Sequence, residues 1–168
     1  MGDSKYVGVI GAGRCSEEIY ELAREVGRRI GGKGWSLLCG GLGGVMEGAA
    51  QGCFEEGGTT IGLLPGLERN LANPFIKIAV PTGLGEGRNL LIVRASDVLI
   101  AVAGGYGTLS EIALALKAGK GVVGLETWKN IEGIRHVATP AEAIEKAESF
   151  MIDPAVRKNA KAGTPKDG

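Results

Sequence analysis

The chain has one histidine, three cysteines and only 5% aromatic residues, and its nineteen basic residues are matched by nineteen acidic ones. Each shortage removes a class of function. Cys15, Cys39 and Cys53 have no paired metal-ligand spacing, and an odd number does not build a disulfide framework, so they read as reduced thiols with no metal to hold. A balanced charge leaves no basic stripe for neutralising phosphates, so no nucleic-acid partner is expected. No apolar run of roughly eighteen residues occurs and the N-terminus carries no signal pattern; a cytoplasmic protein with no membrane partner is expected. A phosphate loop of the form G-x-x-x-x-G-K-[ST] is missing as well, which excludes a P-loop kinase.

Glycine is what the chain has in surplus, thirty residues out of 168, against an average usage of about 7%. They cluster where apolar runs end and follow no collagen or linker period, so they read as turn and ligand-loop glycines. The apolar runs are Tyr6–Ile10, Trp35–Cys39, Thr59–Leu64, Lys77–Val80, Val98–Ala103 and Val122–Leu125. Between them lie stretches with helical spacing. Ser16 caps the first, whose stripe is Ile19, Leu22, Ala23, Val26 and Ile30. Further helices are expected from Val45, over residues 83–96, after Gly107 with Thr108 or Ser110 as cap, and over 140–151. Residues 67–74 read as an irregular loop near the ligand or an interface.

Strands alternating with helices predict an α/β, Rossmann-like, doubly wound parallel sheet with helices on both faces. Residues 1–153 are expected to form one nucleotide-binding domain. Residues 154–168, poor in apolar side chains, are expected to be a disordered tail.

In such a sheet the ligand sits outside the carboxyl ends of the strands, where the winding reverses. Three glycine loops follow three strands and converge on that edge. Gly11 and Gly13 belong to the first, and Gly40, Gly41, Gly43, Gly44 and Met46 to the second. Gly104, Gly105, Tyr106, Gly107 and Thr108 make the third. Unpaired backbone N–H groups and a helix N-terminus there suit a phosphate. The first loop does not complete G-x-G-x-x-G, because Ser16 stands where the third glycine belongs, and Cys39-Gly40 occupies the place of a ribose-binding acid. An NAD-dependent dehydrogenase is therefore disfavoured.

Glu111, in the first turn after the third loop, has two readings: it complements the helix dipole, or it reaches what the bound anion carries. Arg88 is either a surface arginine or a bidentate clamp for phosphate or base. Arg94 and Asp97 read as a solvated or ion-paired couple at a helix end. His136 lies after the last core strand, structural or exposed. Cys15 sits near a helix N-terminus, where a thiol pKa can fall, but has no histidine near it in sequence.

Gly40-Gly41-Leu42-Gly43-Gly44-Val45-Met46, together with Gly104-Gly105-Tyr106-Gly107-Thr108-Leu109-Ser110-Glu111, resembles the paired signatures of the Lonely Guy family over residues 5–125. Those Rossmann-like proteins were long mislabelled as lysine decarboxylases. Studied members are cytokinin riboside 5′-monophosphate phosphoribohydrolases. The resemblance implies Arg88 and Glu111 as catalytic residues, no cofactor, and a homodimer or dimer of dimers. Two positions depart from it: Ala103 stands where the second motif begins with proline, and Asn89 where the arginine is followed by lysine. The stretches 58–66, 82–85 and 113–118 resemble instead the molybdenum-cofactor carrier proteins, a sister branch that binds a phosphorylated pterin. Two functions follow from the resemblances, hydrolysis of a nucleoside 5′-monophosphate or non-catalytic carriage of a phosphorylated pterin or nucleotide. A purely structural protein on this fold is the third and weakest reading.

Overall fold

The structure is a computed structural model in which residues 4–153 are described; the expected tail lies outside them. Seven strands pair in parallel in the order β4-β3-β2-β1-β5-β6-β7. They are β1 (Tyr6–Gly11), β2 (Ser36–Cys39), β3 (Thr59–Leu64), β4 (Ile78–Pro81), β5 (Val98–Val102), β6 (Gly121–Leu125) and β7 (Ile134–His136). The helices are α1 (Glu17–Gly32), α2 (Val45–Glu55), α3 (Arg88–Ala95), α4 (Tyr106–Lys117) and α5 (Pro140–Ile152). This is the doubly wound parallel sheet that the alternation predicts.

Alternation along each strand builds a core on both faces. Val98, Ile100 and Val102 of β5 face the core under α1, α2 and α5, while Leu99 and Ala101 face α3 and α4. Ser16 caps α1 as expected, its Oγ accepting the Ile19 amide at 3.3 Å. Among the described residues, no helix is long and apolar enough to cross a membrane.

Five local expectations are corrected. An unread strand, β7, follows β6, because with three residues and one of them buried it has too little apolar pattern to show in sequence; His136, read as structural or exposed, is exposed on it. The helix expected over 83–96 begins only at Arg88, because Gly83 and Gly85 take φ of +66° and +55° and a single 3₁₀ turn precedes it. The helix α4 begins at Tyr106 behind an extended Gly105, so neither Thr108 nor Ser110 is its cap and Glu111 falls in the second turn. Asp97 accepts the Tyr6 amide at 2.8 Å and forms no ion pair with Arg94, so of the two readings of that couple the ion pair falls. Finally, part of the glycine surplus serves packing rather than loops. A Cβ on Gly27 would stand 1.9 Å from the Ala49 carbonyl oxygen, and one on Gly52 1.9 Å from that of Arg24. Only glycine allows α1 and α2 this approach.

Candidate functional site

The winding reverses between β1, which turns toward β2, and β5, which turns toward β6. The loops leaving β1, β2 and β5 therefore meet at the carboxyl edge and enclose a cleft of about 480 Å³. Gly11 and Gly13 line it from the first loop, Gly40 and Met46 from the second, and Gly105, Gly107 and Thr108 from the third. Arg88 and Glu111 line it too.

The remaining candidates stand behind this wall. Gly41, at φ +74°, is wedged against Leu64 and Gly62, and Gly43 and Gly44 pack over the backbone of residues 12–14. Gly104, at φ +107°, sits so close over Thr108 that any Cβ would collide with its side chain. Tyr106 turns away from the cleft; it is 83% exposed, with its ring centroid 5.8 Å from that of Trp128. The irregular segment 67–74 braces the second loop, Asn73 donating through Nδ2 to the Leu42 carbonyl at 2.9 Å.

Arg88 opens α3 with its side chain only 8% exposed, and its guanidinium lies against Gly40, where a Cβ would come within 2.2 Å of Nη1. Its Nε is buried without a hydrogen-bond partner. Burial pushes the guanidinium pKa down, partly opposed by Glu111 and Cys39. A buried donor left unpaired costs roughly 1–3 kcal/mol, so the site holds a charged hydrogen-bonding group ready for an acceptor.

Glu111, on the neighbouring helix α4, is 6% exposed, and burial pushes its carboxyl up to about 7, with Arg88 pulling the other way. The two make no ion pair within 4.0 Å. A carboxyl that exchanges its proton near neutrality is suited to general acid–base work. Cys15 shows the opposite of activation, its thiol pushed up by burial, and Cys39 is pushed up to about 12. No group of three or more metal-ligating side chains occurs among the described residues.

Glu86 and Asn89, on the 3₁₀ turn and the start of α3, also line the cleft, as do Ala12, Leu42 and Pro65. The sequence hid these: Asn89 was visible only as a departure from a motif, and Glu86 belongs to no periodic pattern. Ala103 explains the other departure. It takes φ +48°, which a proline ring, fixed near −65°, cannot reach.

Fold and cleft together define a Rossmann-like α/β protein with a cleft at the carboxyl edge of its sheet. The chain belongs to the SLOG cluster4 family, whose model matches residues 4–153. It is 51% identical over 146 residues to an uncharacterized protein of Archaeoglobus fulgidus, covering 87% of this chain and 96% of that one. It is 34% identical over 130 residues to the cytokinin riboside 5′-monophosphate phosphoribohydrolase of Mycobacterium tuberculosis, 70% of this chain and 68% of the relative. Among solved structures it is similar to the molybdenum cofactor binding protein of the phototrophic bacterium Rippkaea orientalis. That match has a TM-score of 0.84 and 35% identity, and covers 90% of this chain and 99% of that one.

Proposed function

We propose that the chain binds a phosphorylated nucleotide-like small molecule in this cleft and acts on it as a nucleoside 5′-monophosphate phosphoribohydrolase. The observation that carries the reading is the buried pair lining one cleft, an arginine with an unpartnered Nε and a glutamate whose carboxyl is pushed up to about 7. Neither is used by the fold. In the reading, the amides around Gly105, Gly107 and Thr108 hold the phosphate at the start of α4, and Arg88 supplies charge-assisted hydrogen bonds to it or to the base. The bond from C1′ to the base nitrogen breaks through an oxocarbenium-like state. A water oxygen bonds to C1′ and a proton ends on the departing base. The ionised Glu111 stabilises the cation, takes the water proton and passes it to the departing base nitrogen, which returns Glu111 to its carboxylate form. The products are the free base and ribose 5-phosphate.

Incubation with AMP and the other common monophosphates tests this by following base release. A second reading, non-catalytic carriage of a phosphorylated pterin, is favoured by the nearly full-length likeness to a molybdenum cofactor binding protein. It predicts binding without release of base from any monophosphate.

Assembly as a homodimer or dimer of dimers belongs to the same proposal. Leu84, Leu90 and Leu91 are exposed around the start of α3. On α4, by contrast, Ile112 is buried in the chain's own core. The α3 side is thus the better interface, and light scattering that gives a monomer mass would exclude it.

A further inference from the structure

The third glycine loop is held from behind. A Cβ on Gly105 or Gly107 would meet nothing within 4 Å, so no packing on the cleft side fixes the loop. Its backbone is nevertheless strained where it leaves the sheet, at Ala103 with φ +48°, and again at Glu126 with φ +49° just after β6, while Gly104 takes φ +107°, which glycine adopts readily. Such conformations persist only where the surroundings enforce them.

The enforcing contacts come from the β6–β7 connection. The Ala103 amide donates to the Leu125 carbonyl at 2.9 Å, and the Thr127 hydroxyl donates to the Ala103 carbonyl at 2.6 Å. Trp128 then donates through Nε1 to the Gly105 carbonyl at 3.3 Å, with the Tyr106 ring lying against it. In a trans peptide the carbonyl and the following N–H point in opposite directions. Fixing the Gly105 carbonyl toward Trp128 therefore turns the Tyr106 amide the other way. Thr127 does the same for the Gly104 amide through the Ala103 carbonyl.

The geometry points to Trp128 as a positioning residue that aims the amides of the Gly104–Thr108 loop at a bound phosphate, from outside the cleft. It rests on the reading of that loop as a phosphate site. Trp128 touches no ligand in this arrangement. It acts through Gly105, which lines the cleft with Gly107 and Thr108.

Trp128→Phe keeps an aromatic ring against Tyr106 and removes the Nε1 donor. The Gly105 carbonyl still accepts the Leu109 amide at 3.0 Å, so no orphan acceptor is left and the fold is retained. Binding of AMP, inorganic phosphate and adenosine is measured by calorimetry for wild type and variant. AMP and phosphate affinity should each fall about fivefold, the worth of one hydrogen bond, while adenosine affinity stays unchanged. Equal losses for AMP and adenosine would make Trp128 a general support and overturn the assignment, as would an unchanged AMP affinity. Wild type that binds adenosine as well as AMP and ignores phosphate overturns the phosphate site itself, a distinct result.

A measurement on the wild type needs no variant. The chain has two tryptophans, and adding inorganic phosphate should shift the indole N–H proton resonance of Trp128 while that of Trp35 stays put. A Trp128 resonance that does not move at saturating phosphate counts against the proposal.

Discussion

Two arginine–glutamate arrangements stand on opposite faces of this sheet, and they are built to opposite ends. On the α1–α2 seam, Arg24 grips Glu55 with two bonds of 2.7 and 3.2 Å, and Arg28 and Gln51 add bonds of 3.0 Å each. The seam faces solvent, and the pairing holds the Glu55 carboxyl down to about 2. In the cleft, Arg88 and Glu111 are buried, share no ion pair, and shift the other way, guanidinium down and carboxyl up. A fold that can satisfy Glu55 four times over has the means to satisfy Glu111. That Glu111 and Arg88 are left without ion-pair partners, near the strained backbone at Ala103, is what the proposed function asks of the cleft, where stability would be given up for chemistry.

The widest gap between the two should open in turnover. With AMP as substrate, Glu111→Gln is expected to lower base release on the order of 100-fold or more, because it removes the charge and the proton acceptor while keeping the shape. AMP affinity should survive. Glu55→Gln should leave turnover unchanged. Wild type that releases no base from any monophosphate selects the carrier reading, in which Glu111→Gln alters affinity alone.

Backbone strain separates the regions next. Ala103→Pro forces φ from +48° toward −65° and deletes the amide bond to Leu125, so thermal or urea unfolding should show a loss of about 3 kcal/mol or more. Ala103→Gly should gain about 1 kcal/mol by relieving the left-handed conformation. A proline variant as stable as wild type would place Ala103 at negative φ.

The pH dependence of stability should also run in opposite senses. The Glu111 carboxyl rises from 4.5 unfolded to about 7 folded. Below pH 4.5 both states are protonated and burial costs nothing. The cost grows as the pH climbs through that interval and is complete above it, at roughly 3 kcal/mol for a shift of this size. Glu111→Gln, permanently neutral, should therefore be more stable than wild type at pH 8 by about that amount, and show no gain at pH 4. A variant equally stable at both pH values would mean that Glu111 titrates as an ordinary carboxylate.

Much of this was legible from residue order. Uninterrupted apolar runs mark β5 and β6, the Ser16 cap marks α1, and three glycine loops at strand ends mark the position of the cleft. Where reading failed, the deciding forces were tertiary. The close approach of Gly27 and Gly52 to a neighbouring helix has no local signature, and these look in sequence like more loop glycine. Tyr106 reads as a ligand contact because it lies in a glycine loop, yet a contact with Trp128 carries its ring away from the cleft. Glu86 and Trp128 lie on connections, where no periodicity announces a role.

The smallest effect tests the seam itself. The folded-state pKa of Glu55 is lowered from 4.5 to about 2, so its contribution is present above pH 4.5 and fades as the pH falls through that interval. The pairing is solvent-facing, so Coulomb attraction is screened and two long side chains must be ordered to make it. Exposed pairs of this kind contribute about 0.2–1 kcal/mol. Glu55→Gln should cost no more than that at pH 7, and the cost should shrink in high salt, where the screening length falls to about 3 Å at 1 M. The Gly27 and Gly52 contacts keep α1 on α2 without it. A loss of several kcal/mol, insensitive to salt, would mean that the seam is as dependent on its glutamate as the cleft, and the contrast between the two regions would collapse.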